Sequence, residues 1–384
     1  MQALLNITTT RPGRTDRGVI DDDAVAALLA ANAPVAIGVS GGKDSCACAL
    51  KTIEHLDAIG HTGPRVLVHS DLGRVEWADS GPTCERLAAH LGLELLTVRR
   101  EAGDMMDRWL VRWSNNCERY RTLRCVKKIL PWSTPAMRFC TSEMKTAVIC
   151  RALVARFPGQ TIVSASGIRR EESARRKKAP ISKPQKKLTS TTRCTTGLDW
   201  NPILEWTKTD VFAFCADRGF AMHEAYATYG VTRVSCVFCI MSSADDLVAS
   251  AACLGNQDVF REMVDLEIRS TFAFQGGKWL ADSAPHLLDA DRRAALVVAK
   301  ERAARRVAAE SRIPKHLLFT KGWPTVMPTA EEAVMLCEVR SEVAALLGLT
   351  IEYTEPAALL GRYRELMAMN AAKVQVDDED DDDA

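Results

Sequence analysis

The stretch "VAIGVSGGKDSCACAL", residues 35–50, decides the fold. An apolar run ends in two glycines, a lysine and an acid, then passes straight into a second apolar segment. A short run rich in Val and Ile reads as a buried parallel strand. The following "DSCACALKTIEHLDAIG" has helical spacing and stops at Gly60. A turn of small residues between strand and helix points backbone N–H groups at an anion. Gly41 and Gly42 permit positive φ and the close approach of a phosphate. Lys43 carries charge to neutralise it, and Asp44 suits a Mg²⁺ ion that bridges phosphate oxygens. The spacing is neither that of the Walker P-loop nor that of the dinucleotide GxGxxG turn.

Outward from this turn the pattern repeats. "RVLVHSDLG" (65–73), "LELLTVRR" (93–100) and "QTIVSASG" (160–167) read as strands, with helices over "GPTCERLAAHLG" (81–92) and "SEMKTAVICRALVARFPG" (142–159). Strands alternating with helices of this length predict an α/β fold with a mostly parallel sheet. In such sheets ligands lie beyond the carboxyl ends of the strands. The candidate polar turns are therefore Ser40 to Ser45, His69 to Gly73, Arg99 to Glu101 and Ser166 to Arg170. An irregular, basic, Trp-bearing insertion is expected at 103–139. After about residue 244 only amphipathic helices follow. The expected organisation is an N-terminal extension (1–32), a nucleotide-binding domain (33–250) holding the insertion, a helical domain (251–376) and a disordered acidic tail (377–384).

Composition sets the class. With 47% hydrophobic and 26% charged residues the chain reads as an ordinary soluble protein. No apolar run reaches the roughly 18 to 20 residues of a membrane span, and the N-terminus lacks the pattern of a secretory signal. A cytoplasmic protein without a membrane partner is expected. The net charge of +1 hides a polarised chain: "DDEDDDD" (377–383) leaves about +8 on the remainder. The segment 167–193 holds ten Lys or Arg against two Glu. It reads either as a solvated loop or as a clamp for a polyanion, whether triphosphate, pyrophosphate or nucleic-acid backbone.

The motif SGGKDS, after a strand and before a helix, resembles the signature of the PP-loop ATP pyrophosphatases. "HSDLGRVEW" (69–77), "RFCTSEMK" (138–145), "SGIRREESARR" (166–176) and "NPILEW" with "TDVFAF" (201–214) resemble the PAPS reductase-like branch of that superfamily. The resemblance runs from about 33 to 245 and does not cover the helical C-terminal part. It implies a Rossmann-like, adenine nucleotide alpha hydrolase-like sheet with a C-terminal helical extension. It also implies that ATP, with Mg²⁺, is cleaved between its α and β phosphates to adenylylate an acceptor. On that basis Ser40, Gly41, Gly42, Lys43, Asp44, Ser45, Asp71, Gly167 and Arg169 would bind nucleotide. Lys43, Asp44 and Arg169 would be catalytic, and Asp71 would lie near the adenine. Arg170 reads equally as a phosphate contact or as solvated surface.

Two departures separate the chain from sulfonucleotide reductases, which resemble it but carry a degenerate glycine turn and a late Glu-Cys-Gly-φ-His motif. Here Lys43 and Asp44 are intact, and the late Cys337 sits mid-helix in "VMLCEVR". The nearer likeness is to the ATPase subunit of bacterial DNA phosphorothioation and its phage-encoded relatives. The expected function is then adenylylation for sulfur transfer to nucleic acid, DNA or tRNA, with a cysteine desulfurase or another sulfur donor as partner. The alternatives are a PAPS reductase-type oxidoreductase and an ATP-switched nucleic-acid-binding subunit without chemistry.

Thirteen cysteines at long spacings do not form a disulfide scaffold pattern. "SCVFCIMSS" supplies Cys236 and Cys239 as a CxxC, a spacing shared by zinc sites, redox pairs and clusters. With Cys140 of "RFCTSEMK" it makes three candidate thiolate ligands, and a [4Fe–4S] cluster is the expectation because clusters favour thiolates. Zinc and ordinary thiols are the alternatives. Cys253, Cys194 or no residue would supply the fourth ligand. Cys46, Cys48, Cys84, Cys150 and Cys215 read as buried apolar filler.

Overall fold

The structure is a computed structural model that describes residues 17–382. The acidic tail expected at 377–384 and residues 1–16 of the N-terminal extension lie outside the residues whose side chains are described. The strands are β1 (Val35–Val39), β2 (Arg65–Asp71), β3 (Leu95–Arg99), β4 (Thr161–Ala165), β5 (Ser182–Pro184) and β6 (Thr196–Trp200). In chain order the helices are α1 (Asp23–Ala30), α2 (Lys43–Ala58), α3 (Ser80–Leu91), α4 (Met105–Arg121), α5 (Phe139–Thr141), α6 (Ala147–Arg156), α7 (Lys208–Asp217), α8 (Glu224–Ala227), α9 (Ala244–Ala252), α10 (Gln257–Ser270), α11 (Ala290–Ser311), α12 (Ala330–Leu347) and α13 (Pro356–Asp382).

The chain divides into two compact units, residues 1–105 with 137–256 and residues 106–136 with 257–384. The first carries a six-stranded sheet in the order β3-β2-β1-β4-β6-β5. All pairings are parallel except β5 with β6, as an α/β fold of alternating elements requires. From β1 the chain builds one side of the sheet with β2 and β3, then returns to the other side with β4. The ends of β1 and β4 therefore flank a topological switch point, where open α/β sheets bind ligands.

Both faces of β1 are covered, which is why its sequence is a continuous apolar run. Val35, Ile37 and Val39 pack with Cys46, Leu50 and Ile53 of α2 and with Val211 and Phe214 of α7. On the opposite face Ala36, Val66 and Val68 meet Cys150, Leu153 and Phe157 of α6 and its end. Cys46, Cys48, Cys84, Cys150 and Cys215 are all buried. Trp206 is buried in the same core, and its indole N–H donates to Gly18 O at 3.2 Å.

The second unit is helical. The segment read as an irregular insertion is half helix: α4 spans seventeen residues, and Trp109, Trp113 and Tyr120 on it are buried. Tyr120, Leu123 and Val126 share a core with Ile313, Leu336, Val343 and Leu359, so 106–136 packs with the C-terminal helices. Thr329 and Glu332 form a reciprocal cap at the start of α12, and Gly348 closes its end at φ 63°. Among the described residues no helix is long and apolar enough to cross a membrane.

Candidate functional site

The glycine turn is built by three close packings. Gly41 has φ 71°, and a Cβ there would stand 3.1 Å from both His223 Cδ2 and Ser80 O. Gly42 caps α2 with no side-chain hydrogen bond, so the first amides of the helix are left to backbone, ligand or distant groups. Within the turn, Ser45 Oγ donates to Gly42 O at 2.8 Å and accepts from Ser40 N at 3.2 Å. Gly167, after β4, lies against the first turn of α2, and a Cβ on it would come 2.6 Å from the Asp44 carbonyl carbon. Only glycine permits that approach.

Charge converges on Asp44. Lys43 Nζ lies 3.1 Å from Asp44 Oδ2, and Arg169 Nε donates to Asp44 Oδ1 at 2.7 Å. Both cations approach from the protein side, being 4% and 3% exposed. Lys43 Nζ also donates to Thr232 O at 3.4 Å and sits over the rings of Phe212 and Tyr226. Arg169 donates further to Glu171 and to Trp206 O. Burial works against the Arg169 charge, but Asp44 and Glu171 outweigh it and hold the guanidinium above its usual range.

On its other side Asp44 borders a cleft of about 1000 Å³, partly open to solvent. Ser40, Gly42, Ser45 and Gly167 line it with Asp44, as do four cations: Arg138, Lys145, Arg176 and Arg233. Lys145 lies in a π-helical turn, Ser142–Thr146, that joins α5 to α6, a distortion common at functional sites. Asp71 does not face this cleft. Its carboxylate accepts from Gly73 N at 2.7 Å and pairs with Arg99 at 3.7 Å, while Ser70 is the β2 residue on the lining. Arg170 is engaged with Glu205 and donates to Ala179 O.

Motif reading passed over Tyr226. Its hydroxyl accepts from Lys43 N at 2.9 Å and from Val234 N at 3.3 Å, so it occupies one of the free amides of α2. Burial pushes its phenol well above its ordinary value. Arg138 and Arg176 lie at the ends of the family-like stretches 138–145 and 166–176, whereas Arg233 carries no signal beyond its charge, and only the fold brings the three to one cleft. Ser80, His223 and Asp79 mimic a nucleophilic triad but are not one. His223 Nδ1 accepts from Ala225 N at 3.0 Å, so Nε2 carries the proton toward Ser80 Oγ, at 3.3 Å. Burial lowers the His223 pKa and keeps the ring neutral beneath Gly41.

The three candidate cluster cysteines share a neighbourhood. Desolvation pushes the Cys236 thiol up to about 12, opposed by Lys145 and reinforced by Cys239 and Cys140. Met241 N donates to Cys239 Sγ at 3.4 Å. Yet among the described residues no group of three or more His, Cys, Asp or Glu is arranged to hold a metal ion. The thiols are near neighbours and not a formed ligand sphere, so the expected [4Fe–4S] site is not evident. Cys253 engages the Tyr229 hydroxyl, and Cys194 donates to Thr191 O at the tip of an exposed turn. Neither joins the three.

The phosphoadenosine phosphosulfate reductase domain family matches residues 34–242, more than half of the chain. No curated protein matches. Among solved structures, the phosphoadenylyl-sulfate reductase from Candida auris, in a phosphate complex, is 12% identical, with 53% of this chain and 80% of that chain covered and a TM-score of 0.34. The U34-tRNA thiolase NcsA from Methanococcus maripaludis, with its [4Fe–4S] cluster, is 14% identical, with 70% and 73% covered and a TM-score of 0.36.

Proposed function

We propose, for a chain that belongs to the phosphoadenosine phosphosulfate reductase family, that the glycine turn binds ATP and directs its cleavage to AMP and pyrophosphate through an adenylylated acceptor. The observation that carries this reading is the start of α2, which Gly42 leaves without a side-chain cap of its own, beside Asp44 and opening into a cleft lined by Arg138, Lys145, Arg176 and Arg233. Backbone amides of the turn suit phosphate oxygens. Arg138, Lys145 and Arg233 suit the charge that grows on departing pyrophosphate, while Arg176 is held by Glu172 on the same lining; positioned electrostatics are the main means of catalysis in such transfers. Of the two carboxylates on the lining, Asp44 at the glycine turn would hold Mg²⁺, which supplies charge shared between phosphates, while Glu172 is paired with Arg176. An acceptor atom attacks the α-phosphorus, the bond to the bridging oxygen of the β-phosphate breaks, and pyrophosphate takes the electron pair.

Lys43 and Arg169 support this from behind Asp44, whose carboxylate they hold at the edge of the cleft. The acceptor we favour is a nucleic acid that then receives sulfur, from the likeness to DNA phosphorothioation subunits and the basic remainder of the chain. We assign Cys140, Cys236 and Cys239 to the proposed cluster on their mutual proximity alone and derive no step through it. A sulfonucleotide reductase is the second reading, favoured by the family match. Cys337 is buried on α12, which speaks against its service as a redox thiol.

The test is anaerobic protein with α-labelled ATP and Mg²⁺, with and without DNA or tRNA. AMP with pyrophosphate, lost in Lys43→Ala and Asp44→Ala, is expected. ADP with phosphate would overturn the reading, and sulfite released from PAPS would establish the reductase.

A further inference from the structure

The basic segment is folded, and folding sorts its charges. Residues 170–188 form 3-10 turns at Arg170–Glu172, Arg176–Lys178 and Lys186–Leu188 around β5, the outermost strand of the sheet. Gln185 N donates to Gly197 O at 2.8 Å and so anchors the segment to β6. Three of its arginines are neutralised inside the unit: Arg169 by Asp44, Arg170 by Glu205 and Arg176 by Glu172. Lys183 pairs with Asp199 at 3.6 Å, and Lys187 donates to Ser142 O at 2.9 Å. The rest differ. Arg175, Lys177, Lys178, Lys186 and Arg193 are exposed, and among the described residues no acidic partner meets any of them.

We infer that this β5 edge is the docking surface for the nucleic-acid backbone, with Arg175, Lys177, Lys178, Lys186 and Arg193 as its phosphate contacts. The inference rests on the nucleic-acid acceptor reading above. Lysine and proline on an edge strand, here Lys183 and Pro184, serve to block edge-to-edge pairing. That duty does not account for the unpaired cations outside β5, where there is no strand to protect. Position supports the assignment. A second cleft of about 1140 Å³ runs between α6 and the β1–β4–β6 surface and reaches Lys183 and Gln185 at the edge. It shares Gly38, Lys145, Ile149 and Ser166 with the cleft at the glycine turn. A strand held on the edge therefore lies at the mouth of a groove that leads to the proposed α-phosphate site. Paired arginines would give little to such a contact, since each must first leave its carboxylate; unpaired lysines and arginines lose no partner and gain from the counterions that the backbone releases.

The experiment uses the full-length protein and fluorescence anisotropy with single-stranded DNA, duplex DNA and an RNA stem-loop. Wild type and Lys177→Glu/Lys178→Glu/Lys186→Glu are titrated from about 50 to 200 mM salt. Near-UV circular dichroism checks that the variant is folded, and AMP and pyrophosphate formation without nucleic acid is measured alongside. The expected result is a loss of roughly tenfold or more in affinity and a fall of about two in the salt slope for single strands. Basal ATP cleavage should be unchanged, because these lysines do not touch the glycine turn. Unaltered binding in the folded variant would overturn the surface while leaving the acceptor reading intact. Failure of every oligonucleotide to bind wild type would overturn both. Weakened binding in a protein that never forms AMP would support the surface and sink the ATP reading.

Discussion

Both units bury charged side chains, and they use them differently. In the C-terminal unit Arg340, Glu267, Arg306 and Glu310 are buried charges that bond to backbone. Arg340, fully buried, donates to the carbonyls of Tyr120, Arg121, Glu352 and Tyr353. Glu267 accepts from the amides of Phe274, Leu280 and Ala281. Arg306 and Glu310 pair at 2.9 Å, with Thr271 as a further acceptor. These groups pin loops that have no regular hydrogen-bond ladder, as buried polar groups must be satisfied. In the nucleotide unit Lys43, Asp44 and Arg169 form an equally dense set, but Asp44 has one flank on a cleft. A buried charge is a pin when its partners surround it and a reagent when one side opens on a ligand-sized space.

The contrast breaks most sharply at Asp44. Asp44→Asn keeps the shape and removes the charge, and is expected to lower AMP and pyrophosphate formation by roughly 100-fold or more. Near-native activity would make the Asp44 set a pin like the others. Arg340→Met is the converse. It strands carbonyls that the guanidinium satisfies, and should cost the C-terminal unit about 3 kcal/mol in urea denaturation. Nucleotide affinity of the folded protein should not change.

Glu267 sharpens the comparison through pH. Burial raises its carboxyl from an ordinary 4.5 to about 7, its amide partners only partly offsetting that. The folded state thus binds the proton more tightly than the unfolded chain. The associated stability is fully present below about 4.5 and is lost as pH rises through about 7. The C-terminal unit is expected to be about 3 kcal/mol less stable at high than at low pH across that window. A Glu267→Gln variant with an undiminished slope would place the titration elsewhere. The smallest effect is expected at Tyr226. Tyr226→Phe frees the Lys43 amide for phosphate, so an uncleavable ATP analogue should bind about fivefold more tightly by calorimetry. Unchanged affinity would mean that the nucleotide never uses that amide.

Much of the first unit was legible. Short apolar runs ending in polar turns marked β1, β2, β3 and β4; β1 and β2, covered on both faces, carry no polar alternation to confuse the reading. The short β5 and β6 were missed: Ser182–Pro184 is three residues with two of them polar, and Gly197 interrupts Thr196–Trp200. The α4 helix was missed although Trp109, Trp113 and Tyr120 recur at helical spacing, since the charges between them masked the stripe. The Cys140, Cys236 and Cys239 set illustrates another limit, as spacing names ligand types but does not say whether loops bring sulfurs to one point.

What the sequence by itself determined is local: a strand, a glycine turn able to hold an anion, a helix behind it, and a basic segment at 167–193. These follow from backbone sterics and short-range periodicity, which neighbouring residues encode. The tertiary structure alone decided partnership. It put Arg169 against Asp44, separated by 125 residues, and Tyr226 against the Lys43 amide, separated by 183. It also divided one basic run into cations engaged within the unit, such as Arg170, Arg176 and Lys183, and exposed ones such as Arg175, Lys177 and Lys186. Such pairings depend on packing between distant segments, where burial makes an unmatched charge costly and so selects its partner.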